Sequence, residues 1–216
     1  MSQDIIKINE IFYSIQGEST HAGRPCIFIR TSGCKLRCSW CDTKYSYDEG
    51  ENYTFEKLLK EIKKFDCNLV ELTGGEPLEQ NSSFLFLQIL LDRGYEVLLE
   101  TGGHCSLEKV PSKIQKIVDI KCPASLMHKT VDWDNLAFLN SKDELKFVIQ
   151  DRNDFDWAID IIKKYSLKGK CNLLFSPVFE VLKNEELAKW ICDEAPFARF
   201  QMQFHKIIWD SEIRGV

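Results

Sequence analysis

Three closely spaced cysteines are the residues of this sequence best suited to chemistry. Cys34, Cys38 and Cys41 follow the spacing C-x3-C-x2-C. Iron–sulfur clusters prefer soft thiolate ligands, and three of them this close together can hold one face of a cubane. A structural zinc site takes four ligands, and no fourth cysteine or histidine follows nearby. The spacing predicts a [4Fe–4S] cluster whose fourth iron keeps an exchangeable position, with a zinc site completed by a distant residue as the alternative.

Composition limits the classes of protein to consider. The chain has 216 residues, of which 44% are hydrophobic, and a formal net charge of -5. A core can form, but clustered Lys and Arg for binding nucleic acid are missing. We see neither a signal peptide nor an apolar run of membrane-spanning length. Nine cysteines without a secretory signal favour a metal site in a reducing cytoplasm over a disulfide framework.

Short β-branched and aromatic runs alternate with helical patterns along the chain. The predicted strands are Cys26–Thr31, Leu69–Thr73, Tyr95–Glu100, Ile117–Lys121, Glu144–Ile149, Asn172–Ser176 and Phe200–Phe204. The predicted helices centre on Phe55–Phe65 with Thr54 as N-cap, Phe84–Leu91 between Asn81 and Gly94, Phe155–Ile162, and Leu187–Ile191.

This alternation predicts an α/β fold with a parallel sheet and right-handed crossovers. A closed eight-unit barrel usually takes roughly 250 residues, which is more than this chain has. We therefore expect an incomplete, open parallel β/α barrel of about six units, forming a single domain over residues 1–216. The ligand site should lie at the carboxyl ends of the strands.

Two glycine-rich loops follow predicted strands at that edge. The first reads Thr73-Gly74-Gly75-Glu76-Pro77, and the second reads Glu100-Thr101-Gly102-Gly103. Glycine allows positive φ and a close approach of the backbone to a ligand. Each loop taken alone could also be an ordinary turn.

With the cysteine spacing on the loop after the first barrel strand, this order resembles the radical S-adenosylmethionine superfamily. The first glycine loop looks like its GGEP motif. The resemblance implies that Gly75 contacts the cosubstrate S-adenosylmethionine and that Glu76 fixes the loop or binds the methionine ammonium. It also implies cosubstrate contacts at Glu100 and Thr101, at Asp119 and Lys121, and at Ser176.

The stretches around the cluster narrow the resemblance to the family of 7-carboxy-7-deazaguanine synthases, from the queuosine-type 7-deazapurine route. They are Ile11–Glu18, Gly23–Arg30, Cys41–Thr43, Gln203–Lys206 and Arg214–Val216. The family activity is a radical lyase reaction that converts 6-carboxy-5,6,7,8-tetrahydropterin to 7-carboxy-7-deazaguanine with loss of ammonia. The chain departs from the family at Gly17-Glu18-Ser19, where Gly-Glu-Gly is common.

The resemblance assigns further roles residue by residue. Ile15, Gln16, Gly17 and Thr73 are expected to bind the pterin, and the Val216 carboxylate to face its guanidine-like edge. Arg30 is expected to bind the substrate carboxylate through its planar fork, although it could instead form a buried ion pair at the strand end.

Thr43 matches the residue that binds Mg²⁺ through a hydroxyl, and its alternative role is a helix N-cap. His205 could face the pocket or be a satisfied core residue. The resemblance also implies a homodimer, and a flavodoxin is our expected reductant.

Two rival functions stay open at this point. A glycyl-radical-enzyme activase would share the cluster and the glycine loop but act on a protein. A non-catalytic iron–sulfur or zinc module would bind metal without cleaving S-adenosylmethionine.

Overall fold

The computed structural model describes residues 4–210 and 213–216. Residues 1–3, on which part of the signal-peptide prediction rests, lie outside the described residues. The strands are β1 (Ile5–Ile15), β2 (Pro25–Thr31), β3 (Glu51–Thr54), β4 (Leu69–Gly74), β5 (Glu96–Thr101), β6 (Gln115–Ile120), β7 (Glu144–Ile149), β8 (Asn172–Pro177) and β9 (Arg199–Phe200). The helices are α1 (Phe55–Ile62), α2 (Ser82–Asp92), α3 (Arg152–Lys164), α4 (Asn184–Glu194) and α5 (His205–Ile208).

The strands form one open sheet in the order β3-β1-β2-β4-β5-β6-β7-β8-β9. All pairings from β2 to β9 are parallel. This linear order means that the sheet does not close on itself, which confirms the predicted incomplete barrel. Helices α1 to α4 cover four of the crossovers, whereas the β5–β6 and β6–β7 connections carry no α-helix and the latter contains only short 3-10 turns.

Two strands were not predicted from the sequence. β1 and β3 add an antiparallel extension to one edge, with β1 paired to both β2 and β3. The Ile11–Glu18 stretch drew attention as a motif, and β3 is only four residues long. Strand pairing decides such segments more than local propensity does.

Several boundaries agree with the prediction and two do not. Thr54 caps α1, because its Oγ1 accepts the Lys57 backbone N–H at 3.2 Å. Gly94 ends α2 with a φ of +84°. Asn81 precedes α2 without a side-chain cap bond. The predicted strand Phe200–Phe204 is wrong beyond Phe200, where β9 ends and the chain turns towards α5.

The period of two along each strand separates the core from the site. Outward residues such as Ile29, Leu72 and Leu99 are fully buried under the helices. Inward residues near the amino ends of the strands are apolar and form a smaller cluster of Cys26, Phe28, Leu69, Leu98 and Ile117. Inward residues nearer the carboxyl ends are polar or charged, so the sheet places its chemistry at one rim.

Within the described residues, the model contains no helix both long and apolar enough to cross a membrane.

Candidate active site

A cavity of about 850 Å³ opens at the carboxyl ends of the parallel strands. It brings together most of the residues singled out from the sequence. Those that line it are Ile15, Gln16, Gly17, Arg30, Cys34, Cys38, Cys41, Thr43, Thr73, Gly75, Glu100, Thr101, Asp119, Lys121 and Val216. Of the predicted site residues, Glu76 and Ser176 do not belong to its wall.

The three cysteines lie on the loop after β2, half-buried and facing the cavity. A single tetrahedral zinc would bring their sulfur atoms within about 3.8 Å of one another, given its bond length to sulfur. Among the described residues, the group found with ligand atoms all within 4.8 Å of one another is Glu79, His104 and Cys105, not these cysteines. A cubane binds each cysteine through a separate iron, so it does not require the three sulfur atoms to lie this close together.

The thiols themselves need a cation to become ligands. Burial is the main cause that raises the pKa of Cys34 to about 11, with Glu76 and Glu79 adding to it. Burial also raises the pKa of Cys38. Metal binding releases such protons, so iron would supply the driving force for thiolate formation.

The glycines of the GGEP loop are required by the neighbouring backbone. Gly74 has a φ of +134°, and a Cβ there would lie 2.2 Å from the Thr31 nitrogen. At Gly75 a Cβ would lie 2.1 Å from the carbonyl oxygen of Gly33, immediately before Cys34. The loop therefore packs directly on the cysteine loop, and any larger residue at these two positions would push the two loops apart.

Glu76 is a structural latch rather than a wall residue. Its Oε1 accepts hydrogen bonds from the Leu78 backbone N–H at 3.0 Å and the Thr101 hydroxyl at 2.8 Å. Its Oε2 accepts the Gly102 backbone N–H at 2.8 Å. Of its two predicted roles, the geometry supports fixing the loop.

The loop between β1 and β2 carries the predicted pterin contacts. Gln16 is buried and its amide donates to Glu71 on β4. Burial raises the pKa of Glu71 well above its usual value, with help from Glu100 and Glu18. The raised pKa favours the protonated carboxyl of Glu71, which can both donate and accept at the cavity floor. Sequence reasoning missed Glu71, although a lone carboxylate inside the apolar strand Leu69–Gly74 was a usable signal.

The carboxyl-terminal segment packs directly against Gly17. The Gly17 carbonyl accepts the Phe204 backbone N–H at 3.0 Å. A Cβ at Gly17 would lie 2.5 Å from the Nδ1 atom of His205. His205 thus lines the cavity rather than the core, and burial lowers its pKa.

Arg30 forms the ion pair that was its alternative predicted role, and its binding of the substrate carboxylate stays a prediction. Its Nε donates to Glu10 Oε1 at 2.7 Å, which is the expected buried ion pair at the strand end. Tyr45 donates to the same carboxylate oxygen at 2.9 Å. The guanidinium still forms part of the cavity wall, oriented by Glu10 and held 5.7 Å from the centre of the Phe12 ring.

Thr43 precedes a 3-10 helix, Lys44–Tyr47, without a side-chain cap bond. Its hydroxyl lies 3.8 Å from the Cys41 sulfur and faces the cavity. The neighbouring Asp42 pairs with Lys206 at 2.7 Å. Thr43 therefore occupies the N-cap position, as its alternative role predicted, but its hydroxyl makes no cap bond and its oxygen is available to a ligand.

Lys146 on β7 is the main charged residue that sequence reasoning missed. Its Nζ lies 2.5 Å from Glu100 Oε1, 2.8 Å from Glu18 Oε2 and 3.6 Å from Asp119 Oδ2. Asp119 also pairs with Lys121 at 2.9 Å. A lysine between the apolar residues Leu145 and Phe147 of a predicted strand was the signal that could have identified it.

Two remaining predicted residues lie at the margins. Ser176 pairs with Val148 across β7 and β8, is 1% exposed, and has no hydrogen-bond partner for its hydroxyl within the described residues. Val216 reaches the cavity mouth after a chain reversal at Gly215, whose φ is +75°. Arg214 fastens this segment by an ion pair with Glu49 at 3.1 Å.

Comparison with known proteins agrees with this arrangement. The model of the Radical SAM superfamily matches residues 28–191. A "7-carboxy-7-deazaguanine synthase" of Koribacter versatilis is 38% identical over 226 residues, covering 98% of this chain and 100% of the relative. A protein of the same name from Chlorobaculum tepidum is 41% identical over 215 residues, covering 98% and 97%.

A solved structure supports the fold. The crystal structure of QueE from Escherichia coli matches with a TM-score of 0.78 at 23% identity, covering 92% of this chain and 94% of that chain. The similarity to the two relatives extends over nearly the whole length of each. The chain therefore belongs to the radical SAM superfamily and, within it, to the family named 7-carboxy-7-deazaguanine synthase.

Proposed function

We propose that this protein converts 6-carboxy-5,6,7,8-tetrahydropterin to 7-carboxy-7-deazaguanine and ammonia, as a radical lyase of the queuosine-type pathway. The observation that carries the proposal is the meeting of the cysteine loop, Arg30 and the Gln16 loop around one cavity. In this proposal the cavity would join a redox site to a site for a small anionic heterocycle. The name shared by the full-length relatives supports this substrate.

Membership of the superfamily implies a [4Fe–4S] cluster and S-adenosylmethionine, and the residues present fit both. When bound, these cofactors supply a hydrogen-abstracting radical. Cys34, Cys38 and Cys41 would hold the cluster. The main chain at Gly75 and the side chains of Glu100, Thr101, Asp119 and Lys121 would orient the cosubstrate, while Glu76 keeps their loops in place.

The opposite wall would bind the pterin. Arg30 is a pre-oriented fork for the substrate carboxylate, because Glu10 already fixes its Nε. The Glu71 carboxyl, whose raised pKa favours its protonated form, and the Gln16 amide would offer donors and acceptors at the floor, as a pterin edge requires. Ile15, Gly17, Thr73 and Val216 would complete this wall, and Ser176 stays a predicted contact behind it.

Thr43 would hold Mg²⁺ through its hydroxyl, at the edge between the cysteine loop and the pterin wall. Mg²⁺ prefers oxygen ligands and keeps several waters, so one hydroxyl plus substrate oxygens is a reasonable coordination set. We further propose that residues 1–216 form one domain, that the protein is a cytoplasmic homodimer, and that a flavodoxin reduces the cluster.

The direct test is anaerobic incubation of iron- and sulfide-reconstituted protein with the tetrahydropterin, S-adenosylmethionine, Mg²⁺ and dithionite. We expect both 5′-deoxyadenosine and the carboxylated deazapurine. Cosubstrate cleavage without deazapurine, together with radical formation on a partner protein, would instead identify an activase. If iron-loaded protein yields no 5′-deoxyadenosine, the chain is a metal-binding module and not a radical enzyme.

A further inference from the structure

We propose that Lys146 is a positioning residue that couples the pterin-binding loop to the cosubstrate-binding loops. The inference rests on the proposed function and deepens it. Lys146 would keep the two bound molecules in reactive alignment, so that each cleavage of S-adenosylmethionine leads to product. Its removal would separate cosubstrate cleavage from product formation.

The contacts of Lys146 join segments that are distant in sequence. Its Nζ binds Glu18, on the loop after β1, and Glu100, at the end of β5, at 2.8 and 2.5 Å. Asp119, near the end of β6, lies 3.6 Å away. Only 5% of the Lys146 side chain is exposed, so these interactions are poorly screened by water.

The carboxylates of Glu18 and Glu100 each form a further hydrogen bond to a different part of the site. Glu18 accepts a hydrogen bond from the Gln203 side-chain amide at 3.0 Å, which ties the pterin loop to the carboxyl-terminal segment. Glu100 accepts the Thr73 hydroxyl at 3.0 Å, which ties it to the strand that leads into the GGEP loop. Lys146 is thus the shared partner of the pterin side and the cosubstrate side.

A second buried lysine shows what a purely structural pair looks like in this fold. Lys116 pairs with Asp143 at 3.0 Å, and the two side chains are 1% and 0% exposed. This pair lies at the opposite end of the sheet from the cavity, and neither residue lines it. Lys146 differs by gathering three carboxylates at the cavity wall, where a single partner would be enough to neutralise it.

Removing the ammonium would leave Glu18 and Glu100 as neighbouring negative charges with no cation between them. Like charges in a poorly hydrated site repel strongly, and the repulsion would push the loop that carries Glu18 away from Glu100. The pterin loop would then shift relative to the cosubstrate. A hydrogen-abstracting radical must lie close to its target, so small displacements have large effects on product formation.

The test compares Lys146→Met with Lys116→Met in reconstituted protein. Affinities for the tetrahydropterin and for S-adenosylmethionine are measured by equilibrium dialysis, and the ratio of 5′-deoxyadenosine to deazapurine is measured in turnover. We expect Lys146→Met to weaken both affinities and to raise the ratio at least about tenfold, the size of one lost charge-assisted hydrogen bond. Lys116→Met should lower the melting temperature and leave the ratio and both affinities as in wild type.

Variants of Glu18 and Glu100, the two arms of the Lys146 contact, separate the effect on pterin binding from the effect on cosubstrate binding. Glu18→Gln should weaken pterin binding alone. Glu100→Gln should weaken cosubstrate binding more than pterin binding, because Glu100 also accepts the Thr73 hydroxyl of the pterin wall. Lys146→Arg should restore part of the coupling because it keeps the charge. These arm variants also carry the test if Lys146→Met does not fold. A ratio and two affinities unchanged in Lys146→Met, or arm variants that each weaken both ligands equally, would overturn the coupling role. The proposed function is tested separately, by whether the wild-type protein forms the deazapurine.

Discussion

The carboxylate of Glu76 accepts the backbone N–H of Gly102 at 2.8 Å and so joins the two glycine-rich loops of the site. The same carboxylate receives the Thr101 hydroxyl at 2.8 Å. Glu76 is 1% exposed, and burial raises its pKa while the nearby His104 and these hydrogen bonds oppose the rise. The two loops are therefore held by one buried side chain rather than by each other.

Glu76→Gln should loosen that connection. The amide nitrogen of glutamine cannot accept a hydrogen bond, so at least one of the three donors loses its partner at a cost of about 1–3 kcal/mol. We expect a lower free energy of unfolding in urea and weaker binding of S-adenosylmethionine. The exposed Glu108→Gln serves as the control. Unchanged cosubstrate affinity in a destabilised Glu76→Gln would show that the latch serves stability alone.

Gly75→Ala should damage the iron site without touching a cysteine. A methyl group at Gly75 collides with the Gly33 carbonyl, so the cysteine loop must move, at about 1–3 kcal/mol for overpacking. We expect a several-fold lower iron content after reconstitution. Gly94→Ala is the control, since its φ of +84° makes it strained although nothing lies within 4 Å of the added Cβ. Equal iron content in the two variants would contradict the packing argument.

Arg30→Gln should act on the pterin and not on the cosubstrate. Losing a charge-assisted hydrogen bond of about 1.5–3 kcal/mol predicts a rise in KM for the pterin of roughly ten- to a hundredfold. Affinity for S-adenosylmethionine should stay the same. Arg24→Gln removes a half-exposed pair with Glu96 away from the cavity and should change neither value. If KM does not move, Arg30 serves only its ion pair with Glu10.

Cys38→Ser should abolish both the cluster and the reaction. A cubane held by two thiolates loses an anchor, and the serine hydroxyl is a harder and less acidic ligand than a thiol. We expect iron content and 5′-deoxyadenosine formation to fall to background. Cys192→Ser, at an exposed position on α4, should retain both. Full iron loading of Cys38→Ser would show that the cluster is bound elsewhere than on this loop.

Glu71→Gln should change how stability depends on pH. The pKa of Glu71 is raised on folding, chiefly by burial, so the folded protein keeps a proton that the unfolded chain loses above its usual value of 4.5. The stability of the wild type therefore falls as pH rises from the usual pKa of 4.5 towards the raised pKa of Glu71 in the folded protein. The glutamine can still accept from Gln16 and does not titrate. The free energy of unfolding of the variant minus that of the wild type should rise with pH in urea titrations between about pH 5 and 8; a flat difference would mean that Glu71 is ionised.

The sequence by itself determined the candidate cluster ligands and the general plan of the fold. Cys34, Cys38 and Cys41 are close in sequence, and the structure places all three in the wall of one cavity. Alternation of strands and helices in turn dictated a parallel sheet, because each apolar face needs a partner layer. These features depend on local order along the chain.

Tertiary structure decided the charged interior of the cavity. Lys146 lies 128 residues from Glu18 along the chain, yet the two meet because the loop after β1 lies against the rim of the sheet that carries the inward side chain of Lys146. Likewise, Gly75 is required by Gly33, a neighbour only through the pairing of β2 with β4. Contacts of this kind depend on which strands pair and in which register, and a pattern read along one segment does not contain that information.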